Sequence, residues 1–265
     1  MFRCNRLTLN LKKTEYVYFG GSGGHRETPG TLEVGGEGIR RVEGARFLGV
    51  WVDEVLGWRG HIERVRTKVG QLLGVLGRAG SVLGRGSLLS LYNGLVLPHL
   101  QYCLMVWGDF AGCGNVVIGG SLLRQQKRFA GLVAGRVGRY HSDPLFAAHG
   151  MLKVGDLYRQ QLRVYAWQFW NGRLPENQAA LLRRTGEVHG HATRSARSGL
   201  FLSTRDRRSV GYRVPREWGG LTEEHRGAAS LAAFKRGSRG GFLAGYGLFV
   251  CRDRRCGVCG GAGAV

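Results

Sequence analysis

The spacing of apolar residues changes once along this chain. Up to about residue 56, segments 7–19 and 45–54 alternate in part between apolar and polar residues and are rich in Leu, Tyr and Val, which predicts short β-strands. We expect a turn at Lys12–Lys13, a loop over the glycine-rich residues 20–38, and a tight bend or bulge at Gly49. This part of the chain therefore predicts a small antiparallel β hairpin region.

After residue 56 the apolar residues recur about every 3.6 positions, the period of an amphipathic helix. One helix is nearly all apolar, and because Pro98 interrupts it we expect a buried helix with a break there and no membrane span. Beyond Pro175 we expect little regular structure except a short helix near 229–236. The four helices predicted before Pro175 cover residues 61–76, 87–105, 121–134 and 155–171.

These patterns together predict an α+β fold that is mostly α. We expect a β region over residues 1–56, a helical domain over 57–175, and a basic, loop-rich C-terminal region over 176–265. A strand pair followed by a basic helical bundle suits a platform and clamp for a nucleic-acid duplex, although fold alone does not fix function.

The net charge of the chain limits the classes of partner that we expect it to bind. It has 39 Lys plus Arg against 18 Asp plus Glu, a formal net charge of +21. Phosphate backbones are the commonest partners of so basic a protein, because neutralising them releases counterions. A solvated basic surface is the alternative. The chain has 46 glycines among its 265 residues, a larger share than the ordinary value of about 7%. Such an excess of glycine is typical of a decaying coding copy.

The cysteines and histidines give little indication of disulfides, a metal site or a catalytic group. Six cysteines are too sparse for a secreted disulfide framework, and the first residues show no secretory signal pattern, so we expect a nuclear or cytoplasmic protein that is not secreted. Cys251, Cys256 and Cys259 form half of a zinc site, but a structural site needs four ligands, so we expect no bound metal. His189 and His191 lack an evident nucleophile or metal partner.

Six segments of the chain carry motifs that occur in the same order in a known protein family. They are NRLTLNLKKTEYVYF (5–19), RFLGVWVDEVLGWRGHIERVRTKV (46–69), LYNGLVLPHLQYCLMVWG (91–108), LRQQKRFAG (123–131), LPENQAALLRRTGEVHGHATR (174–194), and REWGGL with SLAAFKR (216–221 and 230–236). In this order they resemble the C-terminal part of non-LTR retrotransposon reverse transcriptases, which follows the catalytic motif. Gly219 after Trp218 departs from the Asn usual in that family, and Thr222 stands where the family often has Pro.

The resemblance implies the end of the polymerase palm, a primer-grip hairpin and a helical thumb that packs against a template–primer duplex of RNA and DNA. It places Phe47, Leu48 and Gly49 at the primer-grip turn. The basic residues that it implies near nucleic acid are Lys12, Lys13, Arg64, Lys68, Arg124, Lys127 and Arg128.

The resemblance also implies what this chain lacks. The family carries its catalytic aspartate pair upstream of the segment that matches Asn5, and no Asp-Asp pair occurs in these 265 residues, where the first aspartate is Asp53. Polymerisation needs such a pair to hold Mg²⁺. We therefore expect no cofactor in this chain, no polymerisation by it alone, and a partner that supplies the missing N-terminal polymerase portion. The alternatives are a standalone non-catalytic RNA- or DNA-binding module and a degenerate retroelement relic.

Several aromatic residues are candidate stacking platforms for bases. Aromatics at helical spacing more often lie in the core, and we expect that role here. The residues are Trp58, Tyr102, Trp107, Trp167 and Trp170.

Overall fold

The computed structural model describes residues 10–19, 32–136, 140–188 and 199–247. Over these residues the chain is mostly helical with small β-sheets, which confirms the α+β, mostly α, fold class. The strands are β1 (Glu15–Tyr16), β2 (Leu32–Val34), β3 (Glu37–Arg41), β4 (Gly44–Phe47) and β5 (Val50–Asp53). The helices are α1 (Arg59–Ala79), α2 (Arg85–Leu91), α3 (Leu97–Gln101), α4 (Leu104–Trp107), α5 (Val116–Val133), α6 (Asp143–Ala148), α7 (Val154–Trp170), α8 (Glu176–Ala179), α9 (Thr185–Val188), α10 (Val210–Gly219), α11 (Glu223–Arg226) and α12 (Leu231–Gly247).

The first sheet differs from the strand–turn–strand predicted over residues 7–19. Residues 11–13, including Lys12 and Lys13, form a turn of 3₁₀-helix. Asn10 caps the start of this turn, because its Oδ1 accepts the backbone N–H of Lys13 at 3.3 Å. The strand that follows, β1, has two residues and pairs in parallel with β3, while β2 pairs with β3 in antiparallel register. Strands β2 and β3 thus begin inside the predicted loop, and residues 7–9 lie outside the described residues.

The second sheet is the hairpin that the sequence predicts. Strands β4 and β5 pair in antiparallel register, with Phe47 opposite Val50. The two residues between them, Leu48 and Gly49, have φ angles of 46° and 87°. Positive φ at both central residues is the geometry of a type I′ turn, whose twist matches that of the flanking strands. Gly49 adopts this conformation readily, whereas Leu48 is strained in it.

The apolar segment predicted as one helix over 87–105 forms a continuous run of α2, a π-helical turn and α3, and then the separate α4. Pro98 has no N–H to donate one turn back, and the helix widens into a π-helical turn over residues 92–96 just before it, so α3 continues through the proline. The true interruption is at Tyr102 and Cys103, where Cys103 has a φ of 50°. Among the described residues, no helix combines the length and apolarity that crossing a bilayer requires.

The core is one continuous cluster that runs from β5 to α12. Helix α5 packs on α1, and α7 packs on both α10 and α12. The expectation of little regular structure beyond Pro175 is wrong for α10, whereas the short helix predicted near 229–236 is present as α12 and extends to Gly247. Phe234 on α12 is buried with its ring against both Trp167 of α7 and Trp218 of α10, which are buried as well. Tertiary burial stabilises these glycine-containing helices where local propensity does not.

A buried glutamine joins three parts of this core. Gln126 of α5 is fully buried and donates through Nε2 to the Tyr92 hydroxyl at 2.9 Å and to the Leu152 carbonyl at 3.0 Å. Its Oε1 accepts from the Val154 backbone N–H at 2.8 Å. Burial also raises the pKa of Tyr92 to about 12, so its hydroxyl stays protonated. The polar atoms in this part of the core therefore depend on one side chain for their partners.

We expect Gln126→Ala to lower the free energy of unfolding by about 2–4 kcal/mol, because it leaves three buried polar groups without their partner and opens a cavity. Gln71→Ala, on an exposed position of α1, is the control and should change the free energy by less than about 0.5 kcal/mol. Denaturant unfolding followed by circular dichroism measures both. Equal effects of the two substitutions would show that the Gln126 network is not a main support of the fold.

Candidate nucleic-acid interface

The path from β5 into α1 fixes the hairpin against the helical bundle. The Asp53 carboxylate accepts two backbone N–H groups, from Gly57 at 2.7 Å and from Trp58 at 2.8 Å. Asn115 Nδ2 donates to the Gly57 carbonyl at 2.5 Å. Trp58 precedes α1 with a φ of 61°, a strained conformation that these neighbouring bonds hold in place. Asp53 therefore acts as a structural bridge.

Between the hairpin and the bundle lies a groove of about 520 Å³, which we call the hairpin groove. Its wall on one side is the β4–β5 hairpin, and its other walls are α1 and the end of α3 with the residue that follows it. The lining residues are Arg46, Gly49, Trp51, His61, Arg64, Val65, Lys68, His99 and Tyr102.

The charge of the hairpin groove has one sign. Arg46, Arg64 and Lys68 line it, and no carboxylate of the described residues does. Among the described residues, no acidic side chain forms an ion pair with any of these three cations. Three cations without counter-charges favour an anionic ligand, since an anion replaces their mutual repulsion with attraction.

Arg64 is held in place by an aromatic ring. Its guanidinium lies 4.4 Å from the centre of the Trp51 ring, a cation–π contact that leaves the guanidinium donors available to a ligand. Trp51 stands opposite Arg46 in the hairpin register. One turn of α1 beyond Arg64, Lys68 is exposed to solvent. The hairpin and α1 therefore aim their cations at one space.

Tyr102 connects the tip of the hairpin to the helices. Its hydroxyl donates to the Leu48 carbonyl at 2.5 Å, and a Cβ added at Gly49 would lie 3.4 Å from the Tyr102 ring. Tyr102 is 52% exposed, while Phe47 and Leu48 at the tip are 68% and 76% exposed. An exposed apolar tip beside a cationic groove offers surfaces for sugar or base contact next to phosphate contacts.

His61 lies at the inner wall of the hairpin groove and is only 6% exposed. Its Nδ1 accepts the Trp51 backbone N–H at 3.3 Å, so in the neutral ring Nε2 carries the proton. Nε2 is buried and has no hydrogen-bond partner among the described residues. The edge of the ring packs on Trp107, with ring centres 5.2 Å apart. Burial, and then the positive charge of Arg64, lower the pKa of His61.

The structure brings some of the predicted site residues together. Gly49, Arg64 and Lys68 line the hairpin groove, and Phe47 and Leu48 form its outer tip. The other predicted residues do not line it. They are exposed or half-exposed on the 3₁₀ turn and on α5: Lys12, Lys13, Arg124, Lys127 and Arg128.

Five lining residues were not predicted as site residues from the sequence, namely Arg46, Trp51, His61, Val65 and His99. Two signals point to part of this set. Hairpin alternation places Arg46 across from Trp51, and helical spacing places His61, Arg64, Val65 and Lys68 on adjoining turns of α1. His99 joins the groove only through the packing of α3, which no local pattern records.

The expectation that the candidate stacking aromatics lie in the core holds for most of them. Trp58, Trp107 and Trp167 are buried, and Trp170 is half-buried against Trp218 at a ring distance of 5.7 Å. Tyr102 alone of the five is exposed.

The cysteines and histidines that the sequence offers as candidate site residues are not among the described residues. Cys251, Cys256 and Cys259, and likewise His189 and His191, lie outside the described residues. Within the described ranges, no group of three or more His, Cys, Asp or Glu side chains is placed to hold a metal ion.

Comparison with models of known protein families found no match, and comparisons with curated proteins and with solved structures found no significant match. The resemblance to non-LTR reverse transcriptases thus rests on the motifs alone.

We expect acidification to weaken the fold through His61. Because its folded pKa is lowered, the unfolded chain takes up a proton below pH roughly 6.5 that the folded chain resists, so the free energy of unfolding falls as the pH decreases through that value. His61→Asn keeps an acceptor for the Trp51 N–H and removes this titration.

The measurement is denaturant unfolding at pH 7.5 and at pH 5. The loss of stability between these two values should be smaller in His61→Asn than in the unsubstituted chain, whereas His99→Asn, at an exposed histidine of the same groove, should not reduce it. Equal losses in all three proteins would contradict a neutral, buried His61.

Proposed function

We propose that this chain binds the template–primer duplex of RNA and DNA as the primer-grip and thumb part of a non-LTR retrotransposon RNA-directed DNA polymerase. The observation that carries the proposal is the hairpin groove, in which Arg46, Arg64 and Lys68 converge and which no carboxylate lines in the part of the chain that the structure describes. Contacts of this kind position a duplex through its phosphates and carry no sequence information.

The rest of the surface supports binding of a polyanion. The net charge of +21 attracts phosphate over distances longer than the groove itself. Arg124, Lys127 and Arg128 extend the proposed contact surface onto α5, which packs against α1. Lys12 and Lys13, before the first sheet, are the remaining proposed phosphate contacts.

The proposed role is binding without catalysis. No Asp-Asp pair occurs in the sequence, and Asp53 is occupied by the two backbone N–H groups at the start of α1. In the complete polymerase a separate N-terminal portion would supply the aspartates and their Mg²⁺. A second candidate, a standalone binding module, is favoured by the same absence of the pair. Both assignments place the chain where nucleic acid is found, in the nucleus or cytoplasm.

We expect duplex binding to weaken steeply as salt concentration rises, because each phosphate contact releases counterions on binding. Each contact contributes roughly 0.9 to the slope of log affinity against log salt for duplex DNA. The double substitution Arg64→Ala with Lys68→Ala should lower that slope by about 0.9 for each contact removed. Fluorescence anisotropy with a labelled RNA–DNA duplex at several salt concentrations measures it.

The matched control is Lys235→Ala with Arg236→Ala, which removes one lysine and one arginine from exposed positions of α12. If the control lowers the slope as much as the groove variant, binding depends on net charge and the groove has no special role. A flat salt response of the unsubstituted chain would contradict phosphate binding altogether. Primer extension by the purified chain alone would overturn its non-catalytic role.

A further inference from the structure

A second cavity, of about 700 Å³, lies away from the hairpin groove. We call it the α5–α7 pocket, because α5 and α7 form two of its walls. The segment from Gly108 to Gly112 and helix α10 close the other sides. It shares no lining residue with the hairpin groove. Its volume falls within the range of roughly 300–1,000 Å³ that small-molecule sites occupy.

One part of the pocket is apolar. Phe110, Leu123 and Leu162 contribute apolar surface to it. Gly155, in the first turn of α7, also lines it, and a Cβ added there would meet no atom within 4 Å. The backbone of α7 is thus open to a ligand at this point, and a flat ring can lie against it.

The opposite part of the pocket is cationic. Arg207 and Arg216 are exposed at its edge, and among the described residues neither forms an ion pair with a carboxylate. Arg213 is more deeply placed, with 13% of its side chain exposed, and it donates to the Tyr158 hydroxyl at 2.8 Å. The Nε–H of Arg213 is buried and has no partner in the described part of the chain. A buried donor without a partner needs an explanation, and a bound ligand is one.

The three carboxylates that line the pocket are already engaged. Asp156 accepts from the Tyr246 hydroxyl, and Glu217 pairs with Arg159 at 3.0 Å. Asp109 accepts the Gly112 backbone N–H at 3.0 Å. Because these acids have partners of their own, Arg207 and Arg216 are left to an external anion.

We propose that the α5–α7 pocket binds a phosphorylated nucleoside, with the base against the apolar part and the phosphate on Arg207 and Arg216. Planar guanidinium groups suit phosphate oxygens, which they bind through paired N–H donors. Burial raises the pKa of Tyr158 to about 12, so its hydroxyl keeps its proton at neutral pH and remains a donor for a sugar or phosphate oxygen. The nucleoside phosphate is either a free mononucleotide or one unpaired nucleotide of a strand.

The pocket offers a substitution that fills it without disturbing the core. Gly155→Leu places a side chain in open space on the pocket wall, and leucine favours helix over glycine by about 0.8–1 kcal/mol. The matched control is Gly240→Leu on α12, an exposed glycine whose Cβ would also meet nothing and which does not line the pocket. Both variants should melt at or above the temperature of the unsubstituted chain.

Calorimetric titration with adenosine 5′-monophosphate, adenosine and inorganic phosphate tests the pocket directly. We expect the monophosphate to bind at least about tenfold more tightly than either part alone, corresponding to about 1.4 kcal/mol. Gly155→Leu should abolish that binding, Gly240→Leu should preserve it, and Arg207→Ala with Arg216→Ala should weaken it about tenfold or more. Competition by a duplex with an unpaired end, and not by a blunt duplex, identifies a strand as the source. Absence of such competition identifies a free nucleotide.

The pocket proposal is overturned if Gly155→Leu changes the affinity neither for the monophosphate nor for the duplex with an unpaired end. It is also overturned if Gly240→Leu weakens binding equally. The two variants distinguish failure of the pocket proposal from failure of the proposed duplex binding. Arg64→Ala with Lys68→Ala should leave monophosphate binding unchanged, and Gly155→Leu should leave binding of a blunt duplex unchanged.

Discussion

The hairpin groove depends on how the chain leaves β5. The two hydrogen bonds from the Gly57 and Trp58 backbones to Asp53, with the bond from Asn115 to Gly57, fix the angle at which α1 starts. Hydrogen bonds to a charged carboxylate stabilise by about 1.5–3 kcal/mol each, enough to hold Trp58 in its left-handed conformation. With that angle fixed, Arg64 reaches the Trp51 ring from across the groove.

The pairing of charges separates structural arginines from those proposed to bind ligands. Arg159 and Arg163 both pair with Glu217, and this cluster joins α7 to α10. Arg46, Arg64 and Lys68 have no such partners within the described ranges, and they gather where the hairpin meets α1. Partly buried cations that pair with acids support the fold, while unpaired cations in a groove repel one another until an anion arrives. This contrast, more than the net charge, motivates the assignment of the groove to nucleic acid.

Sequence periodicity predicted the elements whose partners are near in sequence. The β4–β5 hairpin and α1 follow from alternation and from helical spacing. Helix α10 was missed, and α12 was predicted too short, because burial against α7, a distant segment, stabilises them in spite of their glycines. Glycine also has a role that composition does not reveal. A Cβ at Gly119 would lie 2.5 Å from the Phe110 ring, so glycine there permits close packing.

The candidate site likewise combines residues that were predicted from the sequence with residues that only tertiary packing brings together. Arg64 and Lys68 were predicted from the resemblance of their segment to a polymerase thumb, whereas the placing of His61 and His99 in one groove depends on the packing of α1 against α3. The partners of Gln126 are also distant from it in sequence, Tyr92 by 34 residues and Val154 by 28. Local patterns specify which residues share a face of one element, but the joining of faces is decided by the tertiary core.

The most direct test of the account is site-specific photo-crosslinking to a labelled RNA–DNA duplex. A photoreactive phenylalanine at Thr67, on the exposed side of α1 next to Arg64 and Lys68, should crosslink to the duplex, and the same group at Gly240 on α12 should not. Crosslinking from Gly240 without crosslinking from Thr67 would contradict the assignment of the hairpin groove to nucleic acid.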